Sequence, residues 1–500
     1  MLLSGLVSVF NPTTIFLILA GVVLGIIFGA IPGMSATMAV ALCLPITYGL
    51  DAVNGISLLI GLYVGGISGG LISAILLKIP GTSSSIATTF DGAPLAAKGE
   101  AGKALGVGIF YSFIGGMVST IALIFLSPAI ADFSLRFGPY EYFSVTLFAL
   151  TMISSLSGGN LVKGLLSGAI GISFALFGAA PIDNFKRFTF GNTEMDLGFD
   201  LLAVMIGFYA IAEVIESAGD KTRIQKGDAI SFKLHGLGFT LKEFGEQFVN
   251  MVRSALIGIG IGILPGIGGG TSNLIAYTTA KNQSKHPEKF GTGCIDGIVA
   301  SETSNNASVG GALIPLLTLG IPGDTVTAML LGGLMIQGIQ PGPMLFQNNG
   351  DLIYAIFAAV IVANVMMLIV EFGGIRAFVR VLSIPKNILL PIIVCLCVVG
   401  AFASNNRFFD VICTIVFGII GYLLIKMGFQ LPPMILGFIL APTIETNLRR
   451  GLQLSNGDIT PFFTRPISAV FLLIAALSIL FSVIGMIRKN AAAKAQKEAS

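Results

Sequence analysis

Six consecutive residues, Ser301-Glu302-Thr303-Ser304-Asn305-Asn306, each carry a side-chain oxygen, and apolar sequence follows almost at once. Hydroxyl, amide and carboxylate oxygens suit a hard cation such as Na⁺, and a carboxylate in apolar surroundings suits a proton. Asp324, directly after Gly323, is a further acid that could cap a helix start or hold a cation. Small polar residues also gather behind four Pro-Gly pairs. Ser35 and Thr37 follow Pro32-Gly33, and Thr82, Ser83 and Ser84 follow Pro80-Gly81. Gly268-Gly269-Gly270-Thr271-Ser272-Asn273 follows Pro265-Gly266, and Asp324-Thr325 follows Pro322-Gly323. Free N–H groups and the positive dipole end at a helix start attract an anion. The same hydroxyls could serve only as N-caps. Lys78 is the only base within a break. It could meet an anionic ligand, pair with Asp91, or snorkel to an interface.

These groups need breaks in helices to bring them to membrane depth. The chain has 500 residues, 54% of them hydrophobic and 11% charged, with a mean hydropathy of +0.91. Soluble domains carry about 25% charged residues, so this composition describes an integral membrane protein. Its apolar runs predict an all-α polytopic fold of about 12 spans. Pro removes a helix N–H and Gly gains little from being helical, so each Pro-Gly predicts a broken helix or the tip of a re-entrant hairpin. In hydrocarbon the freed backbone groups need protein, water or a ligand to satisfy them.

The breaks come in two matched pairs. Gly25-Ile-Ile-Phe-Gly29-Ala-Ile-Pro32-Gly33 matches Gly258-Ile-Gly-Ile-Gly262-Ile-Leu-Pro265-Gly266, and Leu77-Lys78-Ile79-Pro80-Gly81-Thr82 matches Leu319-Gly320-Ile321-Pro322-Gly323-Asp324. Duplicated breaks predict two repeats, 1–215 and 251–487, with a binding site where the broken helices meet. A polar cytoplasmic linker, 216–250, is expected between them, and a basic cytoplasmic tail, 488–500, after them. Loop charge predicts the orientation of the repeats. Residues 1–12 carry no base, whereas 216–250 carries Lys221, Arg223, Lys226, Lys233 and Lys242. The loop 49–55 has none, whereas 281–289 has Lys281, Lys285 and Lys289. Lys98 and Lys103 follow the second break, whereas 338–351 has no base. The sides swap each time, which predicts inverted topology with the N-terminus outside and the C-terminus in the cytoplasm. The first 77 residues contain no Lys or Arg, so no cleaved secretory signal is expected.

Other chemistries find little support. The five cysteines show no metal spacing, and His235 and His286 lie in polar segments, so no metal site or bound cofactor is expected. Gly66-Ile67-Ser68-Gly69 fits the pattern of an intramembrane serine protease, but no histidine is placed to act as its base. No P-loop is present, so energy must come from an ion gradient or another chain. An ion channel is a rival reading, because channels also use broken helices.

At these motifs the chain resembles the large membrane subunit of the tripartite tricarboxylate transporters, the TctA family. The resemblance rests on Gly25 to Thr37, Lys78 to Thr82, Gly262 to Ser272, Ala300 to Ala307, Leu319 to Thr325 and Gly338 to Pro343. It implies a bacterial inner-membrane protein with a small TctB-type membrane partner and a periplasmic TctC-type carboxylate-binding protein. It further implies uptake of di- or tricarboxylates driven by Na⁺ or H⁺; no nucleic-acid partner is expected. The anion is expected to bind between the break at 80–85 and the break at 322–325, on Lys78, Pro80, Gly81, Thr82, Ser83, Ser84, Gly323 and Thr325. Pro32 to Thr37 and Gly268 to Asn273 add contacts, and Ser301 to Asn306 with Asp324 serve the coupling cation.

Overall fold

The computed structural model describes residues 2–156, 161–219, 238–381 and 386–498. Within them the chain is almost wholly helical. The first helices are α1 (Leu2–Val9), α2 (Pro12–Ala30), α3 (Ala36–Cys43), α4 (Ala52–Leu76), α5 (Thr88–Leu95) and α6 (Ala101–Ser134). Then come α7 (Pro139–Leu156), α8 (Leu161–Ala175), α9 (Leu201–Ile206) and α10 (Ala212–Gly219). The series continues with α11 (Leu241–Ile263), α12 (Gly268–Gln283), α13 (Ile295–Leu319), α14 (Thr325–Ile336), α15 (Pro343–Asn348) and α16 (Gly350–Val381). It closes with α17 (Lys386–Asn405), α18 (Phe408–Lys426), α19 (Leu431–Leu454), α20 (Thr460–Thr464) and α21 (Pro466–Glu498). Among the described residues nine helices are long and apolar enough to cross a membrane, and three shorter apolar ones accompany them.

The expected linker falls mostly outside the described residues, including Lys221, Arg223, Lys226, Lys233 and His235. Its end is ordered by a capping box. Thr240 accepts from the Glu243 N–H, and Glu243 accepts from the Thr240 N–H, which starts α11. The basic tail continues as helix to Glu498.

Two compact units emerge, and each draws on both halves of the sequence. The first comprises Met1–Asp132 and Tyr209–Arg407, and the second comprises Phe133–Phe208 and Phe408–Ser500.

Glycine decides the packing of the first unit. A Cβ on Gly21, Gly25 or Gly29 of α2 would lie 2.4, 2.5 or 2.3 Å from a backbone oxygen of α4. In reverse, a Cβ on Gly61, Gly65 or Gly69 of α4 would lie 2.6, 2.3 or 2.5 Å from a backbone oxygen of α2. Helix α11 meets α13 in the same way. A Cβ on Gly258 would lie 2.3 Å from the Ser304 oxygen, one on Gly262 2.6 Å from that of Ser308, and one on Gly311 2.7 Å from that of Ile259. Lipid offers no hydrophobic drive for helix association, so close backbone approach through small residues supplies the dispersion contact instead. Helices α4 and α13 form the centre. Residues Gly55–Ile75 are buried without a gap, and so are Gly297–Thr318.

The second unit repeats the device. A Cβ at Gly171 of α8 would lie 1.8 Å from the Met434 oxygen of α19, and one at Gly437 would lie 2.2 Å from that of Gly168. Helices α7 and α21 are joined by the Ser144 and Ser468 hydroxyls. A short antiparallel ribbon pairs Gly178 with Arg187 and Ala179 with Lys186. Arg187 then donates to both oxygens of Glu445 at 3.0 and 3.1 Å. Arg449 donates to Asp183 at 2.6 Å, and this holds the Asp183 carboxyl below its usual range.

Candidate functional site

All four Pro-Gly segments interrupt helices of the first unit. Helix α2 stops at Ala30; Ile31 is extended, Gly33 takes a left-handed φ of 83°, and Ser35 caps α3 through the Met38 N–H at 3.1 Å. Helix α11 stops in the same way. Leu264 is extended and Gly266 has φ 73° before α12 begins at Gly268. At the end of α4, Lys78 has φ 57°; the matching residue after α13 is Gly320, at 70°. Both of these breaks are then closed by capping boxes. Ser85 accepts from the Thr82 N–H at 3.3 Å, and Thr327 accepts from the Asp324 N–H at 2.8 Å.

The breaks touch one another. The hydroxyls of Thr37 and Thr325 are 2.9 Å apart, which joins the first break to the fourth. The Asn273 amide donates to the Ser84 carbonyl, which joins the third to the second. A Cβ at Gly268 would lie 2.9 Å from Asp324, and one at Gly270 3.4 Å from the Ser83 carbonyl. A Cβ at Gly269 would lie 2.6 Å from Asn305 Oδ1 and 3.1 Å from both Ser308 Oγ and Ser84 Cβ. Thr37, Ser83, Ser84, Gly268–Gly270, Asn273, Asn305, Asp324 and Thr325 therefore share one neighbourhood. Two side-chain oxygens there, Asn273 Oδ1 and Asn305 Oδ1, are buried without a hydrogen-bond partner among the described residues. Bare buried oxygens are uncommon, because a polar group without a partner loses its hydration for nothing.

Other expected residues lie differently. Lys78 is exposed, and Asp91 is engaged elsewhere. Asp91 Oδ1 accepts N–H groups of Gly291, Gly293 and Cys294 at 2.9, 2.8 and 2.8 Å, and its Oδ2 accepts the Tyr277 hydroxyl at 2.9 Å. That carboxylate fixes the turn ahead of α13. The Gly33 carbonyl accepts from Ser217 at 2.9 Å. Thr82 is buried with its hydroxyl 2.9 Å from that of Ser84, whereas Ser83 is exposed and Thr271 half-buried. Gly81 and Gly323 are frame residues. A Cβ on Gly81 would meet the Gly29 oxygen at 2.1 Å, and one on Gly323 the Gly262 oxygen at 2.6 Å.

The oxygen-rich run Ser301–Asn306 is helical and wholly buried. A helix turns about 100° per residue, so its members face different neighbours. Ser304 donates to the Ser272 carbonyl at 3.1 Å. Asn305 donates to the Ile67 carbonyl at 3.4 Å and presents its other amide atom toward Gly269. The Thr303 carbonyl lies against Gly115 of α6, and Asn306 donates to the Glu302 carbonyl at 3.2 Å. Glu302 accepts hydroxyls of Thr88 and Ser112, the latter at 2.9 Å. Thr88 also lies 3.2 Å from the Ser301 hydroxyl.

Several polar residues of this region escape a reading built on the breaks. Tyr63 donates to Asp324 Oδ2 at 2.6 Å. Glu213 of α10 accepts the Ser35 hydroxyl at 2.9 Å. Glu371 of α16 accepts the Ser68 hydroxyl at 3.0 Å. An acid inside an apolar helix is a recognisable signal and points to Glu213 and Glu371. Tyr63 carries no such mark. Among the described residues, no group of acids, histidines and cysteines is arranged to hold a metal.

Fold and site together define a multi-pass helical membrane protein built around broken helices. The chain matches the tripartite tricarboxylate transporter TctA family over residues 15–436, and it belongs to that family. It is therefore a membrane subunit of a tripartite tricarboxylate transporter and not an enzyme. Two relatives come from Agrobacterium vitis. An uncharacterized 52.8 kDa protein in the TAR-I ttuC′ 3′ region is 35% identical over 486 residues, covering 97% of this chain and 96% of that protein. An uncharacterized protein in the TAR-II ttuC′ 3′ region is 39% identical over 230 residues, covering 46% of this chain and 95% of that protein. No solved structure matches.

Proposed function

We propose that this subunit imports di- or tricarboxylates of the citrate type by secondary transport, driven by an inward Na⁺ or H⁺ gradient. A periplasmic TctC-type protein delivers the anion, and a small TctB-type membrane protein completes the assembly in a bacterial inner membrane. The observation that carries the reading is the meeting of all four breaks at Thr37, Ser83–Ser84, Gly268–Asn273 and Asp324–Thr325. Helix starts at α3, α12 and α14 bring free N–H groups there, and hydroxyls add donors suited to carboxylate oxygens. Ser301–Asn306 and Asp324 supply the oxygens of a coupling site beside the anion.

Inverted repeats support alternating access. In favour of the repeats stand paired contacts: Gly25 against Leu62 and Gly258 against Ser304, Gly69 against Ile26 and Gly311 against Ile259, Gly81 against Gly29 and Gly323 against Gly262. The N-terminus would face the periplasm and the C-terminus the cytoplasm.

The test is uptake of labelled citrate into proteoliposomes holding this chain and its small membrane partner, with and without the periplasmic protein and an ion gradient. Saturable uptake that needs both is expected. Uptake that ignores the binding protein would indicate a freestanding transporter. Conductance without saturation or counterflow would indicate a channel.

A further inference from the structure

Glu371 sits outside every break and is fully buried. Among the described residues its Oε2 accepts a hydrogen bond from Ser68 at 3.0 Å, while its Oε1 is buried without a donor. Glu302 is also fully buried but better supplied. Thr88 donates to its Oε1 and Ser112 to its Oε2 at 2.9 Å. The two carboxylates lie close enough to act on each other electrostatically. Neither forms an ion pair among the described residues.

Among the described residues, the elements around Glu371 bring no counter-charge. Helices α1, α2 and α15 contain no ionisable side chain. Helix α4 offers Ser68, and its Tyr63 is bound to Asp324. Helix α13 offers Glu302. Helix α6 meets α16 through Gly116 and Asn364, and its Lys103 is paired with Glu243 at 2.8 Å. On α16 itself Asp351, Arg376 and Arg380 are exposed. Burying one unpaired carboxylate ion costs several kcal/mol or more, and burying two that repel each other costs more again. Coupled acids lose their protons in two steps, and between those steps the pair carries one proton. The ionised member is the one with donors on both oxygens, and the proton falls to the member with a bare oxygen.

We infer that Glu371 is a proton-binding site, a neutral carboxylic acid beside an ionised Glu302, and that its proton crosses the membrane with the substrate. The second half rests on the transport reading above. Glu371 Oε1 takes up H⁺ from water on one side and releases it as H⁺ on the other; no bond to the substrate forms or breaks.

Infrared difference spectra of the purified full chain, without substrate, test the first half. The carboxylic C=O band should lose one component in Glu371→Gln and keep it in Glu302→Gln. Should Glu371→Gln fail to fold, Ser68→Ala should shift that component, because it removes the Ser68 hydrogen bond to the group. A spectrum unchanged by Glu371→Gln, or by Ser68→Ala, would overturn the inference. Transport tests the second half. In proteoliposomes Glu371→Gln should still exchange internal for external citrate but lose concentrative uptake under an inward proton gradient. Concentration equal to wild type would overturn the coupling role. Absence of exchange by the wild type would instead defeat the transport reading, leaving the infrared result to judge Glu371.

Discussion

The hydroxyl of Tyr63 donates to Oδ2 of Asp324 at 2.6 Å, while Oδ1 of the same carboxylate accepts the Thr327 N–H at 2.7 Å. One acid thus starts α14 and ties it to the central helix α4. Capping and cation binding, the two roles its sequence position allows, call for different chemistry. A cap needs only an acceptor oxygen, which asparagine also has; a coupling cation needs the charge.

Asp324→Asn should therefore keep the α14 cap and near-normal membrane abundance, at the cost of the acceptor for the buried Tyr63 hydroxyl. Asp324→Ala should cost about 1–2 kcal/mol through loss of the cap. If Asp324 holds the coupling ion, Asp324→Asn should also abolish gradient-driven citrate uptake. Normal uptake by Asp324→Asn would reduce Asp324 to a cap.

Glu302→Gln and Asn305→Ala should each lower uptake without lowering membrane abundance. The comparison needs uptake and quantitative immunoblots on the same vesicles. Full uptake in both variants would remove Ser301–Asn306 from the coupling site.

Gly81→Ala and Gly323→Ala should be damaging far beyond one added methyl group. The new carbon would meet backbone oxygens at 2.1 and 2.6 Å, and backbone cannot rotate aside as a side chain does. A loss of about 1–3 kcal/mol or more is expected, read as a fall in melting temperature in detergent. Gly270→Ala is the control. Its nearest neighbour would be 3.4 Å away, so stability should hold and any loss of uptake would report on the site.

Lys78→Gly should stabilise the protein by about 1 kcal/mol, because a side chain at φ 57° is strained and glycine is not. Uptake by this variant then asks whether the charge matters. A raised melting temperature with lowered uptake would show that the lysine is kept for function.

The polar endowment of the site was legible in the sequence because Pro and Gly mark breaks locally. A run such as Ser301–Asn306 also stands out inside apolar surroundings. Two things were not legible. One was the division of that run among neighbours, which depends on helical rotation and on partners as distant as Thr88, Ser112 and Ile67. The other was the set of partners whose own sequence is bland. Tyr63 lies in an ordinary apolar segment, and Ser68 reads as helix packing until Glu371 is placed beside it. Asp91 shows the opposite case, since the sequence offers it as a partner for Lys78 and its oxygens prove to hold a turn.

The seams between α2 and α4 and between α11 and α13 are made of backbone against backbone. Such a seam has almost no allowed mutations, because every residue larger than glycine strikes a carbonyl. Substitution should be better tolerated at the hydroxyl tips beyond the seams, at positions such as Thr37, Ser83 and Thr271. A family built this way can diversify what it recognises while its frame stays fixed, and an engineer would be wise to work on the same few tips.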